Sequence, residues 1–267
     1  MVMFKRELRP GLPLLRPRTW PRFIYHKSLD PNIWDENDQM NKLVSNSLQL
    51  IAWNYIRFMQ KVGLPIPNQC IRDIFIHGSS TNYYYDKNSD IDICIVADLG
   101  PLREKLSGVE PRAVLKSMQG AWMRNYRIRV CGRNIDIEVV EVTTPKYGPN
   151  MYKVGSAYSI ARDEWIRHPE RLGADQIRTI RRQAKRQYRA IHRMYRQICR
   201  ENMQPDFIET FLRRLMSERK ASYAAHPDQP VTAETMAFRM ARRRGIQFTL
   251  GERAARLRSR SFNVTRG

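Results

Sequence analysis

The segment Asp90-Ile91-Asp92-Ile93-Cys94-Ile95 alternates apolar and polar side chains without a break. Successive side chains of a strand point to opposite faces. Ile91, Ile93 and Ile95 therefore share one face, and Asp90, Asp92 and Cys94 share the other. Ile135-Asp136-Ile137-Glu138-Val139 repeats the arrangement 44 residues after Asp92, with Asp136 and Glu138 on one face. Aspartate is disfavoured in strands. Two such strands constrain the chain to a sheet with one apolar face and one face that concentrates carboxylates.

That spacing has chemical content. Asp90 and Asp92 lie about 6.6 Å apart along one strand face. Carboxylates so close repel each other unless a cation lies between them, and carboxylate oxygens are the preferred ligands of hard divalent ions. An isolated Asp-x-Asp also fits an ordinary polar strand face, so the surroundings matter. Ile71 to His77 reads as a strand running into Gly78-Ser79-Ser80-Thr81. Glycine lets the backbone approach a phosphate closely. The residues after it supply hydroxyls and the first N–H groups of a short helix or nest, a favourable anion site. Strand-borne acids beside a phosphate-binding turn describe a two-metal phosphoryl-transfer site.

Around this centre, Asp35-Glu36-Asn37-Asp38 precede apolar residues at helical spacing from Met40 to Met59, with Lys61 and Gly63 as a closing turn. This predicts an amphipathic helix over 36–62. Residues 111–124 read as helix, and 126–131 with 134–142 as a hairpin turning at Gly132-Arg133 and ending at Thr143-Thr144-Pro145. Tyr83-Tyr84-Tyr85 offers a base-stacking platform or, more simply, one ring in the core. His77 reads as a polar cap at a strand end or a phosphate contact.

Charge divides the chain. Of 267 residues, 47 are Lys or Arg and 26 are Asp or Glu, a net charge of +21. Residues 1–173 hold 25 basic and 18 acidic groups, whereas 174–267 hold 22 and 8, so two-thirds of the net charge lies in the last third. There Ile177, Ile180, Ala184, Tyr188, Ile191, Tyr195 and Ile198 make one apolar stripe on a helix whose other faces are nearly all arginine. Such a surface suits a polyanion, with Arg181, Lys185 and Arg189 as possible nucleic-acid contacts. Further helices are predicted at 206–222 and 232–243, with a loose tail after Gly251. The organisation expected is a basic, proline-rich arm over 1–30, an α+β domain over 31–173 and a basic helical region over 174–267.

Other classes recede. The four cysteines are scattered without a C-x-x-C, and the five histidines show no metal spacing. A zinc site and a disulfide scaffold are disfavoured, and a reducing, cytoplasmic setting is expected. No apolar run reaches the ~18 residues of a spanning helix. Pro10, Pro13, Pro17 and Pro21 disfavour the basic amphipathic helix of a mitochondrial transit peptide.

The order hydrophobic–Gly78–Ser79, about ten residues, Asp90–Ile91–Asp92–Ile93, and a later Ile135–Asp136–Ile137 strand resembles the DNA polymerase beta-like nucleotidyltransferase superfamily. The likeness covers residues 71–143. It implies a small mixed β-sheet palm core with flanking helices and transfer of a nucleoside monophosphate from an NTP. Gly78, Ser79 and Ser80 would bind the nucleotide phosphates. Asp90, Asp92 and Asp136 would hold two Mg2+ or Mn2+ ions, with Glu138 the rival to Asp136. The acceptor, by charge, is expected to be a nucleic-acid 3′ end, most simply RNA; a protein, a small molecule or a second nucleotide stays open. A basic nucleic-acid-binding protein with a silent site and a basic packaging protein are the competing classes.

Overall fold

A computed structural model describes residues 24–64, 66–87, 89–141, 156–226, 229 and 231–261. Nearly all of the expected N-terminal arm and the Thr143-Thr144-Pro145 strand end lie outside the described residues.

The fold is mixed α/β, with one six-stranded mixed sheet and, among the described residues, seven α-helices. In chain order these are α1 (Lys42–Lys61), β1 (Ile71–His77), β2 (Ile91–Ala97), α2 (Gly100–Leu106), α3 (Pro111–Asn125), β3 (Arg129–Val130), β4 (Arg133–Glu141), β5 (Ala157–Ser159), β6 (Glu164–Arg167), α4 (Ala174–Arg200), α5 (Pro205–Ala225), α6 (Ala233–Arg243) and α7 (Ile246–Ser261). The sheet order is β3-β4-β2-β1-β5-β6. β2 and β4 are parallel, joined through α2 and α3, and β1 is antiparallel to β2 and β5.

α1 starts six residues later than predicted. Asp35 caps a turn instead of the helix: its Oδ1 accepts from the Asn37 and Gln39 amides at 2.9 and 2.8 Å. Trp34 then bridges Met40, and Asn41 caps the helix by accepting from the Leu43 amide. Short acidic side chains compete for backbone donors in this way and delay a helix. At the other end Leu64 N–H bonds Met59 O and Gly63 N–H bonds Gln60 O, with Gly63 at φ +82°. That is a Schellman cap, and it needs the left-handed conformation glycine tolerates.

The hairpin turns at Cys131-Gly132, both with positive φ, one residue before the predicted site. Its first strand is only two residues long because Tyr126 closes α3 and packs on Trp122, ring centroids 4.1 Å apart.

α1 and α3 cover the isoleucine face of the sheet. Ile74, Ile76, Ile91, Ile93, Ile95, Ile135 and Ile137 pack there with Leu48, Tyr55, Ile56 and Trp122. Among the described residues, the opposite face carries a small apolar cluster around Phe75, Cys94, Val96 and Ala157. A second core joins the C-terminal helices. The α4 stripe Ile180, Ala184, Tyr188, Tyr195 and Ile198 is buried with Met236, Ala237 and Met240 of α6, and Tyr84 enters the same cluster.

The expectation of a loose tail after Gly251 is corrected for residues 252–261, the described part of it. α7 runs through Gly251 to Ser261; Leu250 and Ala254 are buried, and Arg258 bonds Glu209 and Asp206 of α5, each at 2.6 Å. A mid-helix glycine costs about 1 kcal/mol, which docking against α5 offsets.

Candidate active site

The β1–β2–β4 pairing assembles the carboxylates. In the parallel β2–β4 ladder Asp92 lies opposite Asp136 and Cys94 opposite Glu138. In the antiparallel β1–β2 ladder His77 lies opposite Asp92. One face of three adjacent strands thus carries His77, Asp92, Asp136 and Glu138, with Asp90 one residue before β2.

Gly78 is fitted to this arrangement. It sits at φ +83°, and a Cβ there would lie 2.5 Å from Asp92 Oδ2. The carboxylate therefore rests against a backbone position that only glycine leaves open. Gly78 to Asn82 form a turn closed by Asn82 N–H on Ser79 O at 3.3 Å. Ser79 and Ser80 are both buried, at 3 % and 0 % exposure. The Ser80 hydroxyl turns inward onto His77 O at 3.2 Å, and Ser80 O accepts from Trp34 Nε1 at 2.8 Å. Thr81 and Asn82 pin the turn to Ser156, Asn82 Nδ2 donating to its hydroxyl at 2.6 Å.

Asp92 is the most perturbed acid. Burial, then the charges of Asp136 and Asp90, push its carboxyl up to about 7, against partial relief from Arg239 and Arg219. Among the described residues no hydrogen-bond donor reaches it. Glu138 is also raised, chiefly by burial, with the His77 charge pulling the other way. His77, 4.0 Å from Glu138, has its pKa lowered by burial, against the opposing pull of Glu138 and Asp136.

The donor chemistry fits a hard divalent cation: oxygen-only carboxylates on adjacent strands. The acids are not gathered around one point. Among the described residues no group of three or more His, Cys, Asp or Glu side chains is placed to hold a metal ion. Two of the three have other partners. Asp90 Oδ2 accepts from Arg242 Nη2 at 3.1 Å and its Oδ1 from Asn134 Nδ2 at 3.4 Å, and Asp136 Oδ1 accepts from Gln119 Nε2 at 2.8 Å.

The arginines seen at the acids come from α5 and α6. Arg239 donates to Tyr84 O at 3.2 Å and lies 4.9 Å over the Tyr84 ring. Arg243 pairs with Asp86 on the β1–β2 connection. Arg219 and Arg239 both act on Asp92. Sequence reasoning missed these residues and Gln119; Arg242-Arg243-Arg244 was the one visible sign, a basic run at a helix end. Arg181, Lys185 and Arg189 occupy the exposed flank of α4, beside its buried stripe.

The tyrosine trio is corrected. All three rings are buried, at 1 %, 1 % and 8 % exposure. Tyr83 lies under Arg171, Tyr84 under Arg239, and Tyr85 against His26 at 3.8 Å. None presents a face for a base.

No described helix is long and apolar enough to cross a membrane. Comparison with known protein families, curated proteins and solved structures found no match.

Proposed function

We propose that this chain is a metal-dependent nucleotidyltransferase of the polymerase beta-like kind, moving a nucleoside monophosphate from an NTP to the 3′ hydroxyl of a nucleic acid, most simply RNA. The observation that carries the reading is the side-by-side pairing of Asp92 and Asp136 on parallel strands, with Gly78 against the Asp92 carboxylate. Asp90, Asp92 and Asp136 would hold Mg2+ or Mn2+, which lowers the pKa of the acceptor hydroxyl and neutralises the triphosphate. The turn Gly78–Ser79 offers backbone N–H groups to the β- and γ-phosphates. The acceptor oxygen bonds the α-phosphorus, the bond from that phosphorus to the α–β bridging oxygen breaks, pyrophosphate leaves, and the hydroxyl proton passes to Asp136. Positioning and charge stabilisation supply most of the rate. RNA is favoured as acceptor by the net +14 of residues 174–267.

Arg242 on Asp90 favours a second reading, a nucleic-acid-binding protein with a silent site. The test is incubation of the full chain with Mg2+ or Mn2+, each labelled NTP, and separate RNA, protein and small-molecule fractions. Label in RNA, lost with Asp92→Ala, is the expected result. Label in another fraction reassigns the acceptor. No label anywhere, with salt-sensitive RNA binding retained, favours the silent reading.

A further inference from the structure

α6 carries Glu234, Phe238 and Arg242 at four-residue steps, so the three side chains share one stripe. At its C-terminal end Arg242 bonds Asp90 at 3.1 Å. Eight residues earlier, about 12 Å along the axis, Glu234 faces an open cavity of about 650 Å3 between α4, α5 and α6. Ile191, Met194, Phe211 and Leu215 form its apolar wall. This is the size and character of a small-molecule site.

Arg219 is shared between the cavity lining and the charges felt at Asp92. That guanidinium lines the cavity, lies 5.0 Å over the Phe238 ring, and acts on Asp92. At the polar end Glu234 Oε2 accepts from Ser222 Oγ at 2.7 Å and its Oε1 accepts from Gln187 Nε2. Burial works to raise the pKa of Glu234, but these bonds and one from its own backbone outweigh it, and the net shift is downward. Glu234 is therefore a fixed, ionised group that only accepts hydrogen bonds, with lone pairs left on both oxygens.

We propose that this cavity receives the base of the incoming nucleotide and selects guanine, with Glu234 accepting from its N1–H and its exocyclic amine while the Phe238–Arg219 pair covers its face. The inference rests on the nucleotidyltransferase reading. Guanine alone among the four bases presents two adjacent N–H donors on its pairing edge. Adenine and cytosine present one amine beside a ring acceptor, and uracil one N–H between two carbonyls. Each of these sets a lone pair against the carboxylate, and an unmatched buried polar group is what rejects an analogue.

The test is equilibrium binding of GTP, ITP, ATP, CTP and UTP to the full chain with Mg2+. GTP is expected to bind about 10- to 100-fold more tightly than the other three common NTPs. ITP, which keeps N1–H and lacks the amine, should fall between GTP and ATP. Glu234→Gln, which preserves shape and the Ser222 contact, should erase the preference. NTPs of equal affinity, a preference for ATP, or ITP equal to GTP would overturn the guanine site and leave the transferase reading intact. So would a GTP preference unchanged in folded Glu234→Gln. Binding of no nucleotide at all would overturn both. The inosine comparison needs no variant, so a Glu234→Gln protein that fails to fold does not rescue the proposal.

Discussion

Alternate residues of β1, β2 and β4 write two different surfaces. On one, Ile76, Ile93 and Ile137 are sealed under α1 and α3. On the other, His77, Asp92, Asp136 and Glu138 stand together, and Asp92 has its pKa driven up to about 7 by burial and by its neighbours. Each buried isoleucine contributes roughly 1.5–3 kcal/mol of transfer free energy. The acids work against folding, because like charges are held close in a partly dry place. The isoleucine face holds the strands in the register that keeps the acids adjacent. A one-residue slip would exchange the two faces.

The largest effects should come from the acid face, and its carboxylate substitutions should leave the fold alone. Asp92→Asn is expected to cut nucleotidyl transfer at least about 1,000-fold with an unchanged circular dichroism spectrum. Gly78→Ala should do nearly as much damage, since its Cβ needs the space that Asp92 Oδ2 occupies. The face can also be resolved internally. Asp136 lies opposite Asp92, whereas Glu138 lies opposite Cys94 and reaches towards His77. Asp136→Asn should abolish turnover and Glu138→Gln should retain most of it. The reverse result moves the site one pleat repeat along β4.

The isoleucine face should show the opposite signature. Ile93 is 1 % exposed, and Ile93→Ala is expected to cost about 2–5 kcal/mol in denaturant unfolding. Activity per folded molecule should stay within a few-fold. Loss of activity without loss of stability would mean the two faces are not separable.

The difference between the faces also explains how far the sequence could be read. The alternation of Ile91–Ile95 and Ile135–Val139 is local, so the strands, their faces and the acids they carry were legible. The seats of α1 and α7 were not. Asp35 bonds its own turn, and Gly251 sits mid-helix on the strength of contacts with α5. Arg242 lies 152 residues from Asp90 in sequence, and Gln119 reaches Asp136 from another element. Side-chain meetings of this kind have no periodicity to announce them. Glu234 and Phe238 carry no motif of their own, and only the packing of the surrounding helices opens a cavity beside them.

Acid-face strain should be visible as a pH dependence. Unfolded, Asp92 loses its proton near pH 4; folded, it holds it to about pH 7. The native state binds more protons between these limits, so without divalent cation this group's contribution to stability falls as pH rises from about 4 to about 7. The change is at most about 3 kcal/mol, allowing for water at the partly exposed carboxylate. Melting curves from pH 5 to 8 should show it, and Asp92→Asn should flatten it. Mn2+ should raise Tm more at pH 8 than at pH 6, because proton and cation compete for the same oxygens. An equal Mn2+ effect at both pH values, or in Asp92→Asn, would separate the cation from these acids.

The smallest effect belongs to the exposed flank of α4, far less constrained than either sheet face. Arg181, Lys185 and Arg189 recur at four-residue steps beside the buried stripe. If they track a nucleic-acid backbone, each neutralised phosphate releases condensed counterions, and affinity falls linearly with salt on a log–log plot. Replacing all three with glutamate should flatten that slope by about 2 for single-stranded RNA. A matched change at Lys61, on α1, should leave the slope where it was. Binding alone decides little, because a chain of charge +21 holds any polyanion weakly. The decisive measurement pairs the salt slope with transfer. If the triple variant is folded and transfers to its acceptor at the wild-type rate, the flank is solvated surface, and the acceptor is a protein or small molecule that reaches Asp136 without crossing α4.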